Sequence, residues 1–334
     1  MTFGNGAQAE DLAEFPVLVR LNSSRIDYGR VQNGGEDLRF IDADGSELSN
    51  EIERWDEGGE SVVWVKVPQI DGLSNSDYIW MYYGNDSISD GQDVHGVWDT
   101  NFLMVWHLND QPTGTPGDIP NSANNLLLPD DGLGQSYNMD GTNRINGSIG
   151  YGISFNGADE WLEPNSPAGG VFHDVISELT FEALVKTNNT ATTQTIYEEG
   201  GSTNGYYVGI AGNTVRVVTR DSSTQREVSK SLTDTGSFHY VAGIFSNGTL
   251  LLYLDGGMPS SFSAGYPSIG THTGEPGVGR SPDTDATGVG GDKYLNGFID
   301  EVRISANVRS SDWIAAQYAS MSDNFISFGE EQDF

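Results

Sequence analysis

The sequence predicts an all-β protein made of two antiparallel β-sandwich domains. Three observations carry that expectation. Of 334 residues, 36% are hydrophobic and 43 are glycine, and long stretches of Ala, Leu, Glu and Lys are missing. Short alternating runs are separated by turn residues at roughly 8–12-residue spacing. Only one segment, near the C-terminus, reads as a helix, so the crossover helices of a parallel sheet are lacking.

The elements follow in order. FPVLVRLN (15–22) is a strand with Pro16 near its start, where a missing N–H does little harm. DLRFIDADGSEL (37–48) is a hairpin turning at Asp44-Gly45, a pair suited to positive φ angles. A second hairpin turns at Gly58-Gly59, and SDYIWMYYGN (76–85) is an aromatic strand. A turn-rich linker covers 86–101, and FLMVWHLND (102–110) opens a larger set of strands. Residues 111–148 read as a Pro-, Gly- and Asn-rich loop. Strand-like runs then continue to LNGFIDEVRIS (295–305), with Asn247-Gly248 marking a tight hairpin. RSSDWIAAQYAS (309–320) is the one helix, capped by Ser310 or Ser311, and it leads to a last strand in NFISFGEE. The expected domains are 1–95, a small all-β sandwich, and 96–334, a jelly roll.

Charge and composition exclude several roles. The chain carries 48 acids against 16 bases, a net charge of −32, which repels nucleic-acid phosphates and anionic lipid. Such a surface suits calcium, salty surroundings, and neutral or cationic ligands, although plain solubility accounts for it equally. No run of about 18 apolar residues is present, so no membrane insertion is expected. With no cysteine there are no disulfides, thiolate metal sites or cysteine nucleophile. The start, MTFGNGAQAED, has neither the basic nor the apolar region of a signal peptide, and we read it as cut from a longer parent with further domains. His95, His107, His173, His239 and His272 are scattered without zinc-hydrolase spacing.

Five segments carry a family resemblance: VWHLND (105–110), GISFNGADEWLE (152–163), LTFEALVKT (179–187), FHYVAGIFSNGTLLLYLDG (238–256) and LNGFIDEVRIS (295–305). In order and spacing they resemble the laminin-G-like, concanavalin A-like jelly roll. FPVLVRLNSSRIDY, DLRFIDADG, EIERWDE, VWVKVPQI and YIWMYYGN resemble a small all-β domain of unknown function that often precedes such modules in prokaryotic surface proteins. The resemblance implies a non-catalytic extracellular, cell-surface or periplasmic recognition module that binds a glycan or another surface polymer, with a structural calcium. A spacer or docking domain of a large adhesin or envelope transport protein is the alternative, and a polysaccharide-degrading enzyme a further one.

Period-two alternation puts Phe298, Asp300, Val302 and Ile304 on one face of the closing strand and Ile299, Glu301 and Arg303 on the other. An acid among apolar neighbours needs compensation. By the resemblance, Asp300 ligates the structural calcium, with backbone carbonyls near Gly157 and His107 completing the shell. Alternatively, Asp300 accepts backbone N–H bonds from an adjoining turn. Loop acids Asp159, Glu160 and Glu198, with Asn204 and with Asp283, Asp285 and Asp292, are candidates for a ligand site, and so are the aromatic faces of Trp161 and Tyr206. Tyr206 and Tyr207 are adjacent in one strand, so one of them must point away from the core. Glu51 and Glu53 in EIERWDE superficially look like a hydrolase carboxylate pair, but they depart from that family's pattern and lie in the first domain.

Overall fold

The computed structural model describes residues 1–123, 132–166, 171–281 and 284–332. The chain divides into two compact units, Met1–Asp99 with Ser310–Phe334, and Thr100–Arg309. No helix among the described residues is long and apolar enough to cross a membrane.

In the first unit, β1 (Leu12–Leu21), β2 (Arg39–Asp42), β3 (Asn50–Arg54), β4 (Ser61–Ile70) and β5 (Ile79–Tyr82) form two small antiparallel sheets. One has the order β1-β4-β3, and the other places β2 between Glu47–Leu48 and β5. The hairpins expected at Asp44-Gly45 and Gly58-Gly59 are both present, and Gly45 has φ +90°. Helix α1 (Ser311–Met321) is capped by Ser310, whose Oγ accepts from the Trp313 N–H at 3.0 Å. The helix and last strand belong to this unit, whereas the sequence pattern places them in the second domain. The reason is apolar cover for β1: Phe15 meets Trp313 edge-on at 4.7 Å and Phe325 at 5.6 Å, and the Leu18 N–H donates to Ser320 Oγ at 2.8 Å. Glu51 and Glu53 are buried, each accepting an indole N–H at 2.8 Å, from Trp98 and Trp64 respectively.

The second unit packs two antiparallel sheets face to face. The eight-stranded sheet contains β6 (Phe102–Trp106), β8 (Arg144–Asn146), β9 (Tyr151–Asn156), β11 (Glu178–Thr187), β16 (His239–Ser246), β17 (Thr249–Leu254), β18 (Ser260–Ser263) and β22 (Asn296–Ser305). The seven-stranded sheet contains β7 (Gly134–Tyr137), β10 (Trp161–Pro164), β12 (Gln194–Gly200), β13 (Gly205–Ala211), β14 (Thr214–Asp221), β15 (Thr224–Ser231) and β19 (Gly277–Val278). Its order is β15-β14-β13-β12-β19-β10-β7. A small hairpin of β20 (Arg280–Ser281) and β21 (Lys293–Tyr294) completes the unit. Phe181 on one sheet stacks on Tyr197 of the other at 5.2 Å, within a core that includes Trp106, Phe155, Tyr206 and Phe245. Burying each such side chain contributes about 1.5–3 kcal/mol.

Strand β22 departs from the expected alternation. Its pairing with β11 passes from Leu184–Asp300 to Glu182–Arg303, so Glu301 and Val302 together oppose Ala183. Glu301 takes φ +55° at this β-bulge. The extra residue resets the period, and Ile299, Val302 and Ile304 all reach the core while Asp300 points elsewhere. The face assigned from sequence to Phe298, Asp300, Val302 and Ile304 is therefore split.

The β16–β17 hairpin turns at Asn247 (φ +44°) and Gly248 (φ +90°), as the sequence predicts. A Cβ on Gly248 would stand 2.6 Å from the Tyr266 carbonyl oxygen. Gly248→Ala is expected to destabilise the protein by about 1–3 kcal/mol in denaturant unfolding, from positive φ plus that contact. An unchanged midpoint would contradict this account of the turn.

Candidate functional site

The outward face of the seven-stranded sheet is built by alternation. On β10, Leu162 enters the core, so Trp161 and Glu163 face out. On β7 their partners are Tyr137 and Gln135. The Tyr137 and Trp161 rings stack 4.4 Å apart and 2° from parallel. The Arg280 guanidinium lies 4.5 Å from the indole centroid, and Tyr294 stands at 6.3 Å. Thus the β20–β21 hairpin supplies two members of a four-residue stack.

Beside this stack lies a cleft of about 410 Å³ lined by Pro116, Gln135, Tyr137, Glu163, Pro164 and Asn165, among others. The Tyr137 hydroxyl donates to Glu163 at 3.3 Å. Partial burial raises the Glu163 carboxyl above its ordinary value; the bond from Tyr137 acts against this, and nearby Glu275 adds to it. The cleft thus offers a flat apolar ring, a carboxyl and two side-chain amides within one concavity.

Several residues selected from sequence lie elsewhere or have other partners. Asp159 and Glu160 belong to the turn beyond β9, where Asn156 donates to Asp159 Oδ1 and Glu160 Oε2 at 2.8 and 2.7 Å. Asn204 uses both ends of its amide to staple loops, donating to Thr271 O and accepting from the Ser222 N–H, each at 2.9 Å. Tyr206 is fully buried in the core and presents no face to a ligand, because it falls on the inward side of β13. Tyr207 takes the outward side, yet Ala286 and Val218 cover it. Glu198 is buried on the outward side of β12, away from any open loop rim. Asp283 lies outside the described residues.

Asp300 is fully buried, and its Oδ2 accepts the N–H groups of Ser148 and Ile149 at 2.7 and 2.8 Å. Gly147 and Gly152 leave room for it: Cβ atoms there would approach Asp300 to 2.5 and 3.2 Å. His107 follows the β6 residue paired with Val302, and its Nδ1 is 2.7 Å from Glu301 Oε1. Gly157 is distant, since Asn156 pairs with Asn296, four residues from Asp300 and about 13 Å along the strand. The proposed calcium shell of Asp300, Gly157 and His107 is therefore not gathered at one point, and the backbone-amide alternative accounts for Asp300 Oδ2. Burial alone would push the Glu301 carboxyl up, but His107 and Arg303 hold it well below the usual carboxylate range.

The residues that sequence reasoning missed are Tyr137, Gln135, Glu163, Arg280 and Tyr294. Tyr137 sits in the tract read as loop, where a four-residue strand is too short to show a period.

One titration follows from this unit. Burial pushes the Glu199 carboxyl up to about 8. Because the unfolded side chain titrates near 4.5, the folded chain holds the extra proton between these values, and stability falls as pH rises through that window. The melting temperature is expected to drop between about pH 5 and pH 8.5, and Glu199→Gln should flatten the slope. An identical slope in the variant would contradict the assignment.

Comparison with known proteins gives the class of each part. Residues 156–315 match the family model described as the concanavalin A-like lectin/glucanases superfamily, and residues 34–114 match a domain of unknown function, DUF2341. No curated protein matches the chain. Among solved structures, it is similar to domain 4 of AbnA, a GH43 extracellular arabinanase from Geobacillus stearothermophilus, in complex with arabinotriose. That similarity has 16% identity and TM-score 0.47, covering 64% of this chain and 97% of that one. It is also similar to the CBM40 of the Ruminococcus gnavus IT-sialidase bound to α2,3 sialyllactose, at 13% identity and TM-score 0.39, covering 50% and 96%. A SAP-like pentraxin from Limulus polyphemus matches at 12% identity and TM-score 0.35, covering 44% and 71%. The chain therefore carries a concanavalin A-like jelly roll, preceded by a DUF2341 domain.

Proposed function

We propose that the chain is a non-catalytic extracellular recognition module whose jelly roll binds a glycan in the cleft beside Tyr137 and Glu163. The observation that carries this reading is the pairing of a half-exposed ring, stacked and held in place by Trp161, with a carboxyl and amides that can take hydroxyl hydrogen bonds. A sugar ring has apolar faces and a polar rim, which is the complement of that arrangement. The superfamily named by the family match, of lectins and glucanases, agrees with a carbohydrate ligand.

Binding without cutting is favoured by the lining. Glycoside hydrolysis uses two carboxyls flanking the scissile bond, and Glu163 is the one carboxylate among the described residues that line the cleft. The net charge of −32 disfavours acidic polysaccharides, so neutral or amino sugars are the expected class.

A glycan array, run with and without calcium, followed by titration of the hits, tests the proposal. Tyr137→Ala and Glu163→Gln are each expected to weaken binding about tenfold, the equivalent of about 1.4 kcal/mol. Asn204→Ala should leave affinity unchanged. The absence of any glycan hit would favour a spacer or docking role, and release of reducing ends from a polysaccharide would overturn the non-catalytic assignment.

A further inference from the structure

Glu199 follows Glu198 on β12 and takes the opposite side, toward the space between the two sheets. It is buried, it pairs across the sheet with Tyr206 of β13, and no hydrogen bond reaches its Oε1 among the described residues. The Tyr206 hydroxyl is likewise fully buried and unpartnered there. His272 Nε2 stands 4.0 Å from Glu199 Oε2, too far for a hydrogen bond, and makes none elsewhere among the described residues.

These groups gather at one end of the sandwich. There Ile176 bridges to Ile269, and the His272 N–H donates to His173 O at 3.3 Å. A cavity of about 270 Å³ opens beside them, lined by Glu199 and His272, with Leu103 and Leu179 as apolar walls and the exposed Asp174 and Glu178 next to them. A cavity of about 150 Å³ already admits a benzene-sized molecule. Among the described residues of the lining there are three acids and neither Lys nor Arg.

A buried carboxyl without a donor is stabilised by a proton or by a cation. Burial pushes Glu199 up to about 8, so at neutral pH the proton is the default, and burial lowers the His272 imidazole, which leaves it uncharged. A protonated organic amine can take the place of that proton. Its N–H groups find acceptors in a carboxylate, a hydroxyl and an imidazole, and its carbon body lies against the leucines. Glu199 and His272 are only two metal-type donors, fewer than the roughly four of a zinc site or six to eight of a calcium site, so a bare metal ion fits less well.

We propose that this cavity binds a small organic ammonium ion, with Glu199 as its counter-ion and Tyr206 and His272 as hydrogen-bond acceptors. The site lies between the sheets, separate from the cleft on the outward face, so it stands or falls apart from the glycan reading. The titratable groups around Glu199 are Tyr197 and Tyr206 on the strands, His272 and His173 on the end segments, and Asp174 and Glu178 in the lining. A variant of Glu199 itself therefore assigns any displaced proton.

Calorimetric titration of the full chain with isobutylammonium chloride at pH 7, in two buffers of different ionisation enthalpy, tests the proposal. Isobutanol and sodium isobutyrate serve as neutral and anionic ligands of the same shape. Saturable uptake of the ammonium ion with release of about one proton is expected, because the bound cation restores the carboxylate. The alcohol and the carboxylate should bind at least about tenfold more weakly. Glu199→Gln keeps the side chain's shape, and its melting curve reports folding; it should lose both the tight binding and the proton release. Val175→Trp, at a lining residue that is 54% exposed, should narrow the entry and weaken binding without touching Glu199. The proposal is overturned if the wild-type chain takes up no isobutylammonium, or if isobutanol or isobutyrate binds as well. It is equally overturned if Glu199→Gln or Val175→Trp binds the ammonium ion as tightly as wild type.

Discussion

The second unit depends on the insertion of one residue in its closing strand. Strand β22 lies at the centre of the eight-stranded sheet, paired with β9, β11 and β6. At the bulge, Glu301 adopts a left-handed backbone, a conformation that costs a non-glycine residue about 1 kcal/mol or more. In return, Ile299, Val302 and Ile304 all enter the core, and Asp300 meets the amides of the 147–149 turn. The charges beside it are compensated locally, since Arg303 donates to Glu301 and His107 lies within hydrogen-bond distance of it. A regular strand would have driven two of these apolar side chains out of the core or carried acids into it.

The closing strand fixes one sheet, and the other sheet is free to carry chemistry on its far side. Core packing claims the inward residues Leu162, Val278, Tyr197 and Tyr206. Alternation then obliges Trp161, Glu163, Glu198 and Tyr207 to face outward. Near β7 and β10 that outward side is open and aromatic, whereas over β12 and β13 it is covered by the segment around Ala286. One sheet face therefore holds an accessible cleft at its edge and a buried carboxylate toward its middle. The β20–β21 hairpin links the two regions, because it carries both Arg280 and Lys293.

How much of this was legible in the sequence depends on range. Fold class, the hairpins at Asp44-Gly45 and Asn247-Gly248, and the capped helix are local signals, and each appears where its residues indicate. The bulge at Glu301 was invisible, because an apolar-acidic alternation looks regular until the pairing partner is known. Trp161 is a candidate from the sequence, but its stacking partner Tyr137 stands 24 residues earlier in a tract too short and polar to read as a strand. Tyr206 and Glu198 flank a glycine-rich turn and so read from sequence as loop-rim groups, yet register places one in the core and the other under a covering segment. The return of the C-terminal helix to the first unit is likewise a matter of which strand has an uncovered apolar face. Sequence spacing does not record that.

The most direct measurement is a crystal structure of the chain with a bound oligosaccharide. The expected result is sugar density in the cleft, with a ring against Tyr137 and a hydroxyl at Glu163. Density at the loops around Asp159 or Asn204, with the cleft empty, would contradict the placement of function on this sheet edge.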